Sequence, residues 1–297
     1  MKPEIRERLN ARVKGMEIIP TMDLTLRPLL EYLDRPFENV DIDELSTLIS
    51  YDESLTAQCL RVANSPLFGR AKPTESVRAA VLSLGLQRIQ GILISSCVGG
   101  HLPRTAWVID PLVFWKHSLG CALVCRKLAE RIGYGDMNRA YLAGLLHDLG
   151  VLVNSVRFTE QFRAALEMAK SRRIPLEEAE QEVMGFTHCE SGRILGEEWA
   201  LSSAFCEVIE FSGKVAEAHE ARPLVALVHL SDQLCRVRDM GYGFYESRQF
   251  DMIEDPAWAI LVENFPALND LDLARFTFEM DEDVDEVQGL VNAVYSG

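Results

Sequence analysis

The chain is 297 residues long, 48% hydrophobic and 25% charged, the composition of a globular protein with enough length for one large domain or two smaller ones. Its formal net charge of −15 opposes a phosphate backbone, so a nucleic-acid polymer is not an expected partner. No apolar run reaches the length of a membrane span, and the charged start MKPEIRERLNARVKG has no signal-peptide core, so the expectation is a cytoplasmic protein with no membrane partner.

Nearly every segment predicts helix, and strand-like alternation is scarce. Residues 1–15 predict a charged amphipathic helix, 21–34 and 41–50 shorter ones, and 54–64 a further one with Leu55, Cys59, Leu60 and Ala63 on one face. SPLFGRAKP breaks the pattern, and Asn64 and Ser65 before Pro66 read as a helix-ending turn, or as a contact joining two lobes. Residues 75–100 predict two helices. Asp110 with Pro111 predicts the start of a helix that stops at Gly133. Helices over 159–171 and from Pro175 follow, and Thr187 with Glu190 fits a capping box opening another. Further helices are expected after residue 202, from Pro223, and over the last fifteen-odd residues, where Val284, Val287, Val291 and Val294 share a face. Residues 239–256 are the expected long loop. The expected fold is all-α, two helical lobes packed together.

The seven cysteines show no CxxC spacing, and Cys59, Cys97, Cys121, Cys125, Cys206 and Cys235 lie in or beside apolar helical patterns, as buried thiols do. Arg163, Lys170, Arg172 and Arg173 make the nearest thing to a basic patch and read as a solvated helix face.

The stretch LAGLLHDLGVLV, residues 142–153, places His147 and Asp148 inside a run that is apolar nearly all round, which predicts one buried helix. A buried carboxylate needs a cation or hydrogen-bond donors. His117 lies on the stripe of Phe114, Cys121, Val124 and Leu128, and Asp232 on the stripe of Val225, Val228 and Cys235. His188 falls in the first turn of its helix, where the dipole favours a neutral imidazole. His117, His147, Asp148 and Asp232 together suit one divalent transition metal of the zinc, iron, nickel or manganese type, with His188 a candidate additional ligand. A dry His–Asp hydrogen-bond network would bury the same residues. His229 stands one turn before Asp232 within hydrogen-bonding range of that region, and His101 and His219 have no assigned role.

This order of His…His-Asp…Asp resembles the HD superfamily of metal-dependent phosphohydrolases, and the finer resemblance is to the HDOD family, the HD-related output domain. It is carried by IIPTM, LSTLISYDESLTAQCLRVANSPLFG, VRAAVLSLGLQRIQGIL, FWKHSLGCALVCRKLAE, AYLAGLLHDLGVLV and IPLEEAEQEVMGFTHCESGRILGEEWALS, in order over residues 18–213. The resemblance implies an N-terminal helical lobe over 18–105, an HD-like part over 106–213, and a helical continuation over 214–297 that contains Asp232 as the closing aspartate. It also implies bacterial signalling, with a kinase or response regulator as the kind of partner, and mostly non-catalytic domains. This chain keeps the HD residues that many of them have lost. It differs from the HD-GYP phosphodiesterases at Val151, where they carry lysine, at Phe211 and Ser212, where paired histidines are expected, and in having no Gly-Tyr-Pro in the right context. A mononuclear centre is therefore expected rather than a binuclear one.

Two functions remain open from the sequence. One is a non-catalytic interaction scaffold whose cluster stabilises the core and is sealed from substrate. The other is a mononuclear phosphohydrolase acting on a nucleotide, which needs cations to clamp phosphate. Lys116 and Arg126 lie off the apolar stripe of their helix, and no lysine or arginine follows LLHD until Arg157, a shortage that favours the scaffold.

Overall fold

The computed structural model describes residues 3–14, 27–35, 39–68, 74–99, 107–242 and 251–295. The IIPTM segment, residues 69–73 and His101 lie outside that range, as does the side chain of Cys97. Among the described residues the secondary structure is helical and there is no strand, as the sequence predicts. No single helix among them is long and apolar enough to cross a membrane.

Among the described residues, six helices precede Trp107: α1 (Pro3–Lys14), α2 (Arg27–Leu33), α3 (Ile42–Ser50), α4 (Glu53–Ala63), α5 (Val77–Leu84) and α6 (Leu86–Gly99). Local chemistry sets their starts. The Asp41 carboxylate accepts from the amides of Asp43 and Glu44, Asp52 from those of Ser54 and Leu55, and Ser76 from that of Ala79. Gly85, at φ 77°, lets α5 and α6 turn through 117°. Asn64 closes the turn after α4 by donating to the carbonyl of Thr74 at 3.0 Å and accepting from its amide at 2.6 Å, the structural reading of that motif.

The centre is α7 (Pro111–Ile132), capped by Asp110 at one end and ended by Gly133 in the left-handed conformation at φ 76°, both as predicted. Next come α8 (Met137–Leu146), α9 (Leu149–Arg157), α10 (Thr159–Arg172), α11 (Leu176–Val183), α12 (His188–Glu198), α13 (Ser203–Phe211), α14 (Arg222–Val237), α15 (Pro256–Asn264) and α16 (Leu273–Tyr295). The capping box of Thr187 and Glu190 forms as expected. Arg163, Lys170, Arg172 and Arg173 are all exposed, and Arg172 pairs with Glu182 at 2.8 Å, the solvated face expected of them. α8, α14 and α16 pack on α7, while α16 also reaches α4 and α6 and so straps the two lobes together. Arg88 of α6 meets Glu286 at 2.8 Å and Arg131 of α7 meets Glu279 at 2.5 Å along that strap. Buried Asn138 on α8 ties the lobes further, accepting from Gln90 at 2.6 Å and donating to the Leu33 carbonyl at 2.8 Å.

Two expectations change. α16 starts at Leu273, several residues before the acidic run expected to open it, and α15 follows Asp255 directly. The apolar stretch 142–153 is not one helix: α8 ends at Leu146, His147 and Asp148 form a turn, and α9 starts at Leu149. The His147 ring Nδ1 lies 2.8 Å from the Gly144 carbonyl oxygen, an acceptor that a continuing helix would offer to the amide of residue 148.

Candidate metal centre

Two close helix crossings bring the cluster together. A Cβ on Gly144 would lie 2.9 Å from backbone atoms of Cys121 and Ala122, so α8 meets α7 backbone to backbone and His147 faces His117. A Cβ on Gly150 would lie 1.7 Å from the His188 carbonyl oxygen, and Gly192 faces it from α12. That crossing places the first residue of α12 beside the His147–Asp148 turn.

The Nε2 atoms of His117 and His147 are 3.3 Å apart, and each is 3.4 Å from Asp148 Oδ2. Donors about 2.1 Å from one zinc-like ion at tetrahedral angles lie about 3.4 Å apart, so this triangle has the edge length of one coordination face. His117, His147 and Asp148 could therefore hold a metal. Asp232 Oδ1 stands 3.3 Å from His117 Nε2, and His188 Nε2 stands 3.8 Å from Asp148 Oδ1, both at the edge of the triangle. All five side chains are buried.

The outer nitrogens are all engaged. Nδ1 of His117 donates to the Met240 carbonyl at 2.9 Å, Nδ1 of His147 to that of Gly144 at 2.8 Å, and Nδ1 of His188 to Glu180 Oε2 at 2.7 Å. With Nδ1 committed as donor, each Nε2 is the atom left to bind an ion, the arrangement typical of metal-ligating histidines. The converging donors of His117, His147 and Asp148 fit a metal ion, and Asp232 and His188 fall outside that group. Tyr242 donates to Asp148 Oδ2 at 2.7 Å and Arg236 Nε to Asp232 Oδ1 at 2.7 Å.

Electrostatics follow from this packing. Burial disfavours a charged His117, but Asp148 and Asp232 outweigh it and raise its pKa to about 9. Burial likewise opposes His147, and Asp148 raises it to about 9. The helix-dipole expectation of a neutral His188 is reversed: against burial, Glu180 raises its pKa well above the usual value. Burial works against the ionised aspartates, yet His147, His117 and His188 hold Asp148 well below the usual carboxylate range, and Arg236 with His117 does the same for Asp232. Cys121 beside His147 is pushed well up by burial and stays a neutral thiol.

The cluster is not sealed. A cleft of about 620 Å³ reaches Asp148, His188 and Asp232. Phe211 and Ser212 border it, while Val151 is buried. Five glutamates line it, Glu177, Glu178, Glu190, Glu210 and Glu217, against Lys214 and an Arg236 already engaged by Asp232. Lys116 and Arg126 do not line it. His229 points elsewhere than Asp232, with Nδ1 donating to the Ser212 carbonyl at 2.6 Å and Nε2 3.1 Å from Asp255.

Sequence reasoning missed Glu180, Arg236 and Tyr242. Glu180 shares the helical stripe of Leu176, Ala179 and Val183, and Arg236 stands four residues after Asp232 on one helix, so both carried a readable signal. Tyr242 lies in the stretch read as loop and carried none.

The HDOD domain family profile matches residues 19–215. The chain belongs to the HDOD family. An HDOD domain protein of unknown function from Geobacter sulfurreducens is similar over 99% of both chains, with 28% identity and a TM-score of 0.78. A signal-transduction candidate from Marinobacter aquaeolei VT8 has 21% identity and a TM-score of 0.73 over 98% of this chain and 65% of its own. A phosphohydrolase candidate from Shewanella amazonensis SB2B has 21% identity and a TM-score of 0.70 over 96% of this chain and 97% of its own. At that identity the last two support the fold. An uncharacterized protein of Treponema pallidum (strain Nichols) is 28% identical over 215 residues, 71% of this HDOD chain, which spans 41% of that relative.

Proposed function

We propose that this HDOD protein is a cytoplasmic regulatory scaffold of bacterial signal transduction, with a kinase or response regulator as its partner class, and that it carries one divalent transition metal rather than a catalytic centre. In this reading His117, His147, Asp148 and Asp232 hold the ion and His188 completes the set from the cleft side. The HDOD domain occupies residues 18–213, with a boundary between its lobes near 105, and residues 214–297 continue the helical body and supply Asp232.

The observation that carries the non-catalytic reading is the acid rim of the cleft. A phosphate ester approaching the cluster would pass five glutamates. Arg236, the cation deepest beside the cluster, is bound to Asp232 at 2.7 Å. Phosphoryl transfer depends on cations arranged around the phosphoryl oxygens, and Lys214 alone does not make such a clamp.

The second reading, a mononuclear phosphohydrolase acting on a nucleotide, is favoured by one feature: the cleft reaches the candidate ligands. A bound divalent ion would supply water of lowered pKa there. Asp148 would orient that water, with Tyr242 fixing the carboxylate. The deciding experiment is metal-loaded protein against nucleoside mono-, di- and triphosphates and cyclic dinucleotides. The scaffold reading expects no multiple-turnover hydrolysis. Turnover that disappears in His147→Ala would overturn it.

A further inference from the structure

Behind the candidate metal centre runs a chain of polar side chains that the ligand set does not use. Asn154 of α9, Glu180 of α11 and Ser191 of α12 are all fully buried. A glutamate is almost never fully buried unless it is paired, and Glu180 spends both of its oxygens. Oε2 accepts from the backbone amide of His188 at 2.9 Å and from its ring Nδ1 at 2.7 Å. Oε1 accepts from Asn154 Nδ2 at 2.8 Å. Asn154 Oδ1 in turn accepts from the Ser191 hydroxyl at 2.8 Å.

The sense of each bond is fixed by its neighbour. A carboxylate only accepts, so Asn154 must turn its NH2 to Glu180 and its oxygen to Ser191. Ser191 has one proton to give, and the Asn154 oxygen is nearer than the carbonyls of His188 at 3.1 Å and Gly150 at 3.5 Å. The effect falls on His188. One carboxylate oxygen grips both its amide and its ring, which fixes the ring's rotation and leaves Nε2 3.8 Å from Asp148 Oδ1. Without the Asn154 donor, Oε1 is buried with no partner, a cost the carboxylate relieves by rotating, which carries Oε2 away from the ring. A ligand must be held within about 0.5 Å and 10–20° of its binding geometry. His188 stands outside the triangle of His117, His147 and Asp148, so its placement depends on this support.

We propose that Asn154 and Ser191 are positioning residues for His188, acting through Glu180, and that they set how tightly the centre holds its ion. Neither lines the cleft, so they act without touching the ion or anything that enters from solvent. The effect on the ion rests on His188 being a ligand from the cleft side, as proposed above; the effect on the ring does not.

Two readouts on the full chain test this. One is the affinity for Zn²⁺ and Co²⁺, by competition with a chromophoric chelator. The other is the His188 Nδ1–H resonance of ion-free, ¹⁵N-histidine-labelled protein, which the bond to Glu180 should protect from exchange. Asn154→Leu, close to isosteric, should lose that resonance and bind metal about 10-fold more weakly, the scale of lost outer-shell support. Ser191→Ala should move both readouts the same way by less, and decides alone if Asn154→Leu fails to fold. Gln90→Leu breaks a buried amide pair with Asn138 elsewhere, so it should lose stability and keep both readouts. An unchanged Nδ1–H resonance in the folded variants, or an equal loss of affinity in Gln90→Leu, would overturn the positioning role. A lost resonance with unchanged affinity would support the positioning of the ring and overturn His188 as a ligand. A wild-type protein that takes up no ion would overturn the metal reading, and the resonance alone would then decide for or against Asn154 and Ser191.

Discussion

A Cβ on Gly150 would sit 1.7 Å from the carbonyl oxygen of His188, and backbone atoms cannot rotate out of the way as a side chain can. To reach even 3.0 Å, α9 and α12 must part by about 1.3 Å, at the crossing that presents His188 to Asp148. Gly150→Ala should therefore destabilise the protein by about 3 kcal/mol, the upper end of ordinary overpacking, and lower Tm by about 5–10 °C. Urea unfolding and thermal melts measure this directly. Gly135→Ala is the matched control, since its Cβ would meet nothing within 4 Å, and it should stay within about 0.5 kcal/mol of wild type. A Gly150→Ala protein no less stable than Gly135→Ala would refute the close crossing, and with it the account of how His188 is positioned.

The histidine pKa values predict a pH dependence with a definite sign. His117 and His147 are raised from 6.5 to about 9, so without metal they contribute stability that is full below pH 6.5 and is lost as pH rises through about 9. Chelator-treated protein should show Tm falling across pH 6.5–9, and a flat or rising Tm there would contradict the raised values. Metal must displace these protons, so calorimetry at pH 7 in buffers of different ionisation enthalpy should report release of about two protons per ion, or about three if His188 also binds, and a buffer-independent heat would count against ligation through Nε2. Glu180→Gln removes the charge that orients His188 Nδ1 and should weaken metal binding about 10-fold; unchanged affinity would place His188 outside the ligand set. Cys59, Cys121, Cys125, Cys206 and Cys235 are buried free thiols, while Cys189 lines the cleft, so at most Cys97 and Cys189 should react with a disulfide reagent before denaturant is added; three or more fast thiols would show the core packing to be wrong.

The parts of the site legible in the sequence were those where a polar residue interrupts an apolar stripe. His117 and Asp232 stood out on α7 and α14 because the 3.6-residue period around them is clean. The cap at Asp110, the stop at Gly133 and the Thr187–Glu190 box were legible because each depends on three or four neighbouring residues. The break at His147 and Asp148 was not, because the hydrophobic period runs through it unbroken, and the contact of the His147 ring with the Gly144 carbonyl at that point leaves no local pattern. Cys189, the seventh cysteine, is also buried, but it lines the cleft instead of an apolar face. Glu180 looked like one more acid in LEEAEQEV, and only the fold shows that it is fully buried, accepting from His188 and from Asn154 at 2.8 Å. Whether the cluster was sealed or open depended on how residues 210–217 pack over it, which no local pattern encodes.

The most direct test of the central claim is the metal content of untagged protein purified without added metal, compared with its His147→Ala/Asp148→Ala variant and repeated after reconstitution. The account predicts about one equivalent of a divalent transition metal in the wild type and none in the variant. A folded wild-type protein that neither carries nor takes up an ion would contradict it, and would make the five buried side chains a hydrogen-bonded core cluster.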